Sequence, residues 1–334
     1  MRFYTTCPAS SAYSPGTYAA RVRQIAQWSE AAGAEGALIY TDNGLADPWA
    51  IAQMMLAETG NFIPMIAVQP VYMPPYAVAK RIATLAMLTG RKVALNMVAG
   101  GFPRDLQALG DRTAHDDRYA RLEEYCQIFQ SLLRGETVSL KSKHFEVDGL
   151  RLLPELAQTL LPEVFLSSSS PAGRAAAGAL AATPVSYPAP PGERPEDPAE
   201  HPAAVVRIGI LARDTAAEAW ALAEARFPED PRGSMMHRMA MATSDSAWHR
   251  QLSEMAAGGC AARGIYWLRP FKTYKTFCPY LVGSFDQVAA ALRGYAAQGV
   301  TGLILDVPAT EDDLRCTAHV ISLAGTSAPE PLVI

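Results

Sequence analysis

The sequence predicts a single α/β domain of the (β/α)8 barrel class, and three observations carry that prediction. Short apolar runs alternate with helical stretches through the first two-thirds of the chain, the pattern of parallel strands joined by crossover helices. The runs are near-continuously apolar rather than alternating, so both faces of each strand need cover. The chain has 334 residues, a length that such barrels reach as one unit.

Residues 2–6 (RFYTT) read as a first strand, and Thr17–Ala32 repeats its apolar residues at helical spacing until Gly33 stops it. Gly36–Tyr40 (GALIY) is a second, buried-type strand, followed by the polar loop TDNGLADP. A helix over Trp49–Gly60, a strand over Ile63–Val68, a helix over Pro75–Gly90 and a strand over Arg91–Val98 continue the alternation. That fourth strand runs on into small residues up to Gly101, which lets a ligand lie close to the backbone. Further on, Tyr119–Gly135 and the alanine-rich Pro171–Ala182 read as helices, and Val164–Leu166 as a short strand. Val205–Ala212, then the helix Phe285–Gln298 and the strand Gly302–Asp306, complete the pattern.

Two stretches break the rhythm. Residues 184–202 are rich in proline, which excludes a helix, and read as a loop within the domain 1–334. Residues 228–280 carry several methionines and read as an insertion that builds a pocket or a lid.

The composition narrows the function. Hydrophobic residues make up 49% and the net charge is -4, so neither nucleic acid nor an anionic membrane is expected as partner. The N-terminus has no apolar core of a secretory signal and no run reaches a membrane span, so a cytoplasmic protein is expected. Five scattered cysteines without a CxxC pair point to neither a disulfide framework nor a metal site. Glycine-rich nucleotide motifs of the GxGxxG and Walker types are missing, as are HExxH and a Ser-His-Asp order.

The residues that remain as candidates lie where strands end. Ser167–Ser170 stands between a strand and a helix beginning at Pro171, a place for helix capping, for anion binding, or for both. His115 and Tyr119 are four apart at a helix start, with Asp116 and Asp117 as N-cap or first-turn residues. Arg207 interrupts an apolar strand, on the face opposite to Val206 and Ile208, and the alternation leaves open whether that face is the barrel lumen or its helix layer. Arg269 belongs to the basic stretch WLRPFKTYK, open between a solvated loop and a substrate role.

Taken together, NMVAGGFPRDL at 96–106, AHDDRYARLEEYCQIFQSLLRGETVSLKSKHFEVDGLRLLP at 114–154 and LVGSFDQVAAALRGYAAQGVTGLILD at 281–306 resemble the bacterial luciferase-like flavin-dependent monooxygenases. The nearest branch resembled is the alkanesulfonate monooxygenases. The resemblance implies a barrel that binds reduced FMN, supplied by a separate NAD(P)H-dependent flavin reductase, and uses O2 through a peroxyflavin to oxygenate a small organic molecule. It places the flavin near Asp42, Ala67 and Asn96, with His115, Tyr119, Ser168 and Ser169 on the cofactor and its phosphate, and His115, Arg207 and Arg269 as catalytic residues. It also implies a cis peptide bond between Ala67 and Val68, and a homo-oligomer, dimer or tetramer. The same fold leaves two alternatives: a hydride-transferring relative using the deazaflavin F420, and a flavin-binding relative without turnover. Leu45, Gly209 and Val307 stand where the alkanesulfonate branch has cysteine, histidine and tyrosine. Oxygenation of a different substrate, anionic or a natural-product intermediate, is therefore expected.

Overall fold

The computed structural model describes residues 1–167, 170–193, 204–241, 247–260 and 262–325. Its internal contacts divide the chain into two units. One holds Tyr4–Ser186 with Met239–Gln251, and the other holds Met1–Phe3, Tyr187–Arg238 and Leu252–Ile334.

The strands of the first unit are β1 (Arg2–Thr6), whose first two residues fall to the other unit, β2 (Gly36–Ile39), β3 (Ile63–Val68), β4 (Ala94–Met97), β7 (Val164–Ser167) and β8 (Thr183–Ser186). They pair in parallel in the order β1-β2-β3-β4-β7-β8. Helices α1 (Pro15–Ala31), α2 (Pro48–Glu58), α3 (Pro75–Thr89), α4 (Pro103–Ala108), α5 (His115–Leu133) and α6 (Pro171–Ala179) form the crossovers. The antiparallel hairpin β5 (Val138–Lys141) and β6 (Glu146–Leu150) follows α5. Strands β2, β3 and β4 are buried almost throughout, as sheet covered on both faces requires. Gly36 is fixed by close approach: a Cβ there would meet the Ile63 carbonyl oxygen at 1.8 Å.

The other unit carries β9 (Val205–Arg213), β10 (Tyr266–Trp267), β11 (Tyr280–Ser284) and β12 (Gly302–Leu305). β9 lies between β11 and β12, parallel to both, and β10 joins β11 antiparallel. Its helices are α7 (Ala216–Arg226), α8 (Pro231–Met241), α9 (Ala247–Met255), α10 (Arg269–Lys272), α11 (Phe285–Ala297) and α12 (Glu311–Gly325), with α8 and α9 running across the division of the chain. Thr215 and Ser284 close capping boxes that start α7 and α11. Among the described residues no helix is long and apolar enough to cross a membrane.

Most predicted elements are found within a few residues of their expected ends. The proline-rich stretch differs: its first residues form β8, since proline forbids helix but not extended chain. Residues 194–203 of that stretch lie outside the described residues. The strand β11, the hairpin β5–β6 and helices α7 and α12 were not expected. Strand β11 is a short apolar run ending in Gly283-Ser284, which reads equally as the approach to the following helix. The bond between Ala67 and Val68 is not cis; among the described residues the cis bond is Leu153–Pro154. The β3–β4 ladder runs through this point, with Val98 N–H donating to the Val68 carbonyl at 2.9 Å, and holds the chain extended.

The turn between α2 and β3 is held from two sides. Glu30 on α1 accepts backbone N–H bonds from Gly60, Asn61 and Phe62 at 2.6–3.1 Å. Arg91 gives its guanidinium to the carbonyls of Leu56, Thr59 and Phe62. Desolvation works against the Glu30 carboxylate, but the three N–H donors and Arg91 outweigh it and hold its pKa below the usual value. A depressed native pKa gives stability that is present above the unfolded carboxylate's value and lost as pH falls through the native one. Glu30→Gln is therefore expected to cost about 1–3 kcal/mol at neutral pH, by urea denaturation, and less at acidic pH. An equal cost at pH 7 and pH 3 would contradict the charged clamp.

Candidate active site

The ends of β2 and β3 open into a cavity of about 480 Å³. Asp42 and Leu45 line it from the loop after β2, Ala67 and Val68 from the end of β3, and Tyr72 from the loop that follows. The volume lies within the range of small-molecule and cofactor sites. Asn96 is the cross-strand partner of Ala67 one strand further on. It is buried, and its carboxamide oxygen accepts from the Ser167 hydroxyl at the end of β7, 2.8 Å away. Its NH2 group is left as a donor at the strand ends. Three of the positions expected around a flavin ring thus sit on adjacent strand ends within one unit.

Hydrogen bonds fix the rim. Tyr72 Oη donates to Asn43 Oδ1 at 2.7 Å, and Asn43 Nδ2 donates to the Asp105 carbonyl on α4 at 2.9 Å. Burial pushes the Tyr72 hydroxyl up to about 12, helped by the carboxylates of Asp42 and Asp105, so it stays protonated at neutral pH. Asp47 caps α2 through Trp49 and Ala50, and Arg81 lies over the Trp49 ring at 5.6 Å. Sequence reading passed over Tyr72, Asn43 and Arg81; the polar loop TDNGLADP at a strand end was the available signal.

On α5, His115 and Tyr119 meet edge to face with ring centroids 5.3 Å apart, as four-residue spacing demands. His115 Nδ1 bonds Asp116 Oδ1 at 2.7 Å; a proton held there leaves Nε2 as an acceptor. Asp116 and Asp117 lie in the first turn, while the N-cap is Ala114, so they act on the helix dipole rather than as side-chain caps. Ser170 caps α6 by accepting from Gly173 N–H at 3.2 Å, and Pro171 takes the first helical position. Capping therefore needs neither Ser168 nor Ser169, which lie outside the described residues.

Arg207 and Arg269 belong to the other unit. Arg207 is buried on β9 and shares a face with Gly209. Arg269 packs its guanidinium over Trp267 at 5.3 Å and stands 3.9 Å from Glu229. Gly209 is explained by its neighbour. Tyr280 is its cross-strand partner, and a Cβ at 209 would lie 2.3 Å from the ring. Tyr280 in turn donates to Asp306 Oδ2 at 2.6 Å, next to Val307.

Parallel strands alternating with helices, and a cavity at their carboxyl ends, define a barrel enzyme site. The chain belongs to the luciferase-like monooxygenase family, whose profile matches residues 1–302. It is 34% identical over 299 residues to the 4-(gamma-L-glutamylamino)butanoyl-[BtrI acyl-carrier protein] monooxygenase BtrO of Niallia circulans, covering 87% of each chain. Among solved structures it resembles the EDTA monooxygenase of Chelativorans sp. BNC1, with a TM-score of 0.72 at 17% identity over 97% of this chain and 94% of that one. It also resembles the oxygenating constituent of 3,6-diketocamphane monooxygenase of Pseudomonas putida, a complex with FMN, with a TM-score of 0.68 at 17% identity over 96% and 95%. The fold is the closed, helix-wrapped (β/α)8 barrel that the sequence predicts.

The Gly209–Tyr280 contact carries its own test. Gly209→Ala is expected to destabilise the chain by about 1–3 kcal/mol through overpacking, and Tyr280→Ala added to it should recover part of that loss. Thermal unfolding of the two single variants and the double variant measures the coupling; strictly additive losses would rule the contact out.

Proposed function

We propose that this chain is the oxygenating component of a two-component FMN monooxygenase. In this reading an NAD(P)H-dependent flavin reductase supplies reduced FMN, and the substrate is a small organic molecule, anionic or a natural-product intermediate. The observation that carries it is the cavity bordered by Asp42, Ala67 and Tyr72, with the Asn96 amide on the next strand. Reduced FMN would supply the electrons that split O2, one oxygen atom going to the substrate and the other to water. Membership of a monooxygenase family, with a relative named as a monooxygenase at 34% identity, favours oxygenation over hydride transfer or flavin binding alone.

The residues suit such a cofactor. Ala67 presents a small side chain at a strand end, so a flat ring can approach the backbone. Asn96 and Asp42 offer one donor and one acceptor at its edge. His115, Tyr119 and the serines Ser168 and Ser169 ahead of α6 would hold the phosphate, where a capped helix N-terminus favours negative charge. Arg207, Arg269 and His115 are the groups assigned to substrate and proton handling. Water has to be kept out for the oxygen to reach the substrate. We assign that task to residues 228–280, of which His249 packs its ring 5.9 Å from Phe102 in the loop after β4.

Two measurements test the reading. Anaerobic titration should show reduced FMN bound, and with a reductase, NADH and air the protein should raise product-coupled oxygen use; no binding of reduced FMN would refute it. Replacing Ser168 and Ser169 together by alanine should weaken FMN by a few kcal/mol, at roughly 1.5–3 kcal/mol for each charge-assisted bond. Unchanged affinity would place the phosphate elsewhere.

A further inference from the structure

Helix α8 is anchored at its start and lies along one face on the chain of α10 and the residues after it. Asp230 accepts the Gly233 N–H at 2.8 Å and pairs with Lys275 at 2.7 Å, which ties the first turn of α8 to that segment. Gly233 makes the contact close: a Cβ there would lie 2.2 Å from the Thr273 carbonyl oxygen. One turn further on, His237 is 5% exposed. Its ring meets Phe271 edge to face at 4.6 Å and Tyr274 at 6.1 Å. Tyr274 itself has a φ of 58°, a left-handed conformation that a tyrosine keeps only where its surroundings hold it. Away from this face α8 is bare, with Met235, Met236 and Met239 each at least half exposed.

The His237 imidazole is half satisfied. Nε2 shares a hydrogen bond with the Ser253 hydroxyl of α9 at 3.1 Å, and Nδ1 is buried with no hydrogen-bond partner. A neutral ring tolerates one idle nitrogen. In the imidazolium both nitrogens are donors, and Nδ1 would bury a charged N–H with no acceptor. Among the described residues, the charged groups of the surrounding elements are turned elsewhere. Arg232 and Arg238 of α8, Arg250 and Glu254 of α9, and Lys272 of α10 are exposed. Arg269 lies over Trp267 toward the exposed Glu229, Lys275 holds Asp230, and His249 of α9 packs on Phe102. Tyr274 is the titratable side chain against the ring. Burial accordingly lowers the pKa of His237. A lowered native pKa gives stability that is present above the ordinary histidine value and lost as pH falls below it.

We propose that α8 is an acid-released latch: packed while His237 is neutral, it leaves α9 and α10 when the imidazole takes up a proton from solvent. The inference rests on the reading in which residues 228–280 keep water from the oxygenation, and deepens it by giving that cover a pH at which it loosens. Release breaks the Ser253 bond and the ring contacts with Phe271 and Tyr274. The Asp230–Lys275 pair outlasts the same acidification and serves as the hinge, because Lys275 and the Gly233 N–H hold Asp230 below the usual carboxylate range.

Hydrogen exchange of the whole chain, read by mass spectrometry from pH 8 to pH 5.5 and corrected for the intrinsic rate, tests the latch. Protection of the α8 amides should hold down to about pH 7 and fall by about tenfold by pH 5.5, as an ordinary histidine pKa near 6.5 in the released state dictates. Amides of α11, in the same unit, should keep theirs. In His237→Gln, and in His237→Phe, which keeps a ring against Phe271, α8 protection should no longer depend on pH, whatever its level at pH 8. Protection that stays constant with pH in the unaltered chain would overturn the proposal. So would the same fall in either variant, which assigns the titration to another group, or an equal fall in α11, which means general acid unfolding. The measurement uses neither flavin nor turnover, so a failure to bind reduced FMN, which sinks the monooxygenase reading, is read separately.

Discussion

Parallel register sets the level at which Ala67 and Asn96 emerge from the sheet. Ala67 is paired with Asn96, and Asn96 with Phe165, so β3, β4 and β7 end side by side with their last side chains on one rim. Parallel pairing demands long crossovers, and the crossovers bring α2, α3 and α5 over the sheet. Burying both faces of such strands supplies the apolar cohesion, while strand ends and the loops after them are left to carry polar chemistry. The polar rim stands on a sheet whose strands β2, β3 and β4 are buried almost throughout.

Two cavities inherit this arrangement differently. The candidate site is floored by strand ends and rimmed by a hydrogen-bonded chain from Tyr72 through Asn43 to α4. A second cavity owes little to the sheet: it is built by α4, the turn after it and the start of α5, with an arginine–aspartate pair as its frame.

Much of this was legible in the sequence, and the limits have physical causes. Strands β1 and β3 were placed at their observed ends because Arg2–Thr6 and Ile63–Val68 are short runs with clear breaks on each side. Asp42, Ala67 and Asn96 were pointed to by the family resemblance, and the strands set them at or just beyond neighbouring strand ends. The roles of Tyr72 and Asn43 were not legible, because neither lies in a periodic element and their bond joins residues 29 apart in the chain. The expected cis bond after Ala67 failed for a similar reason: a resemblance carries side-chain identity better than local backbone state. Arg207 remained undecided in the sequence because β9 is buried on both faces, and alternation alone does not tell one covered face from the other.

The Gly209–Tyr280 pair also constrains how this chain can diverge. A histidine at 209, as in the alkanesulfonate branch, is closed to it while the Tyr280 ring fills that space and holds Asp306. Removing the tyrosine first would strand a carboxylate and open a void, so each single step is uphill in stability. The two positions can only exchange together. A lineage that acquires the glycine–tyrosine arrangement is thereby held to it, behind a barrier that point mutation does not readily cross.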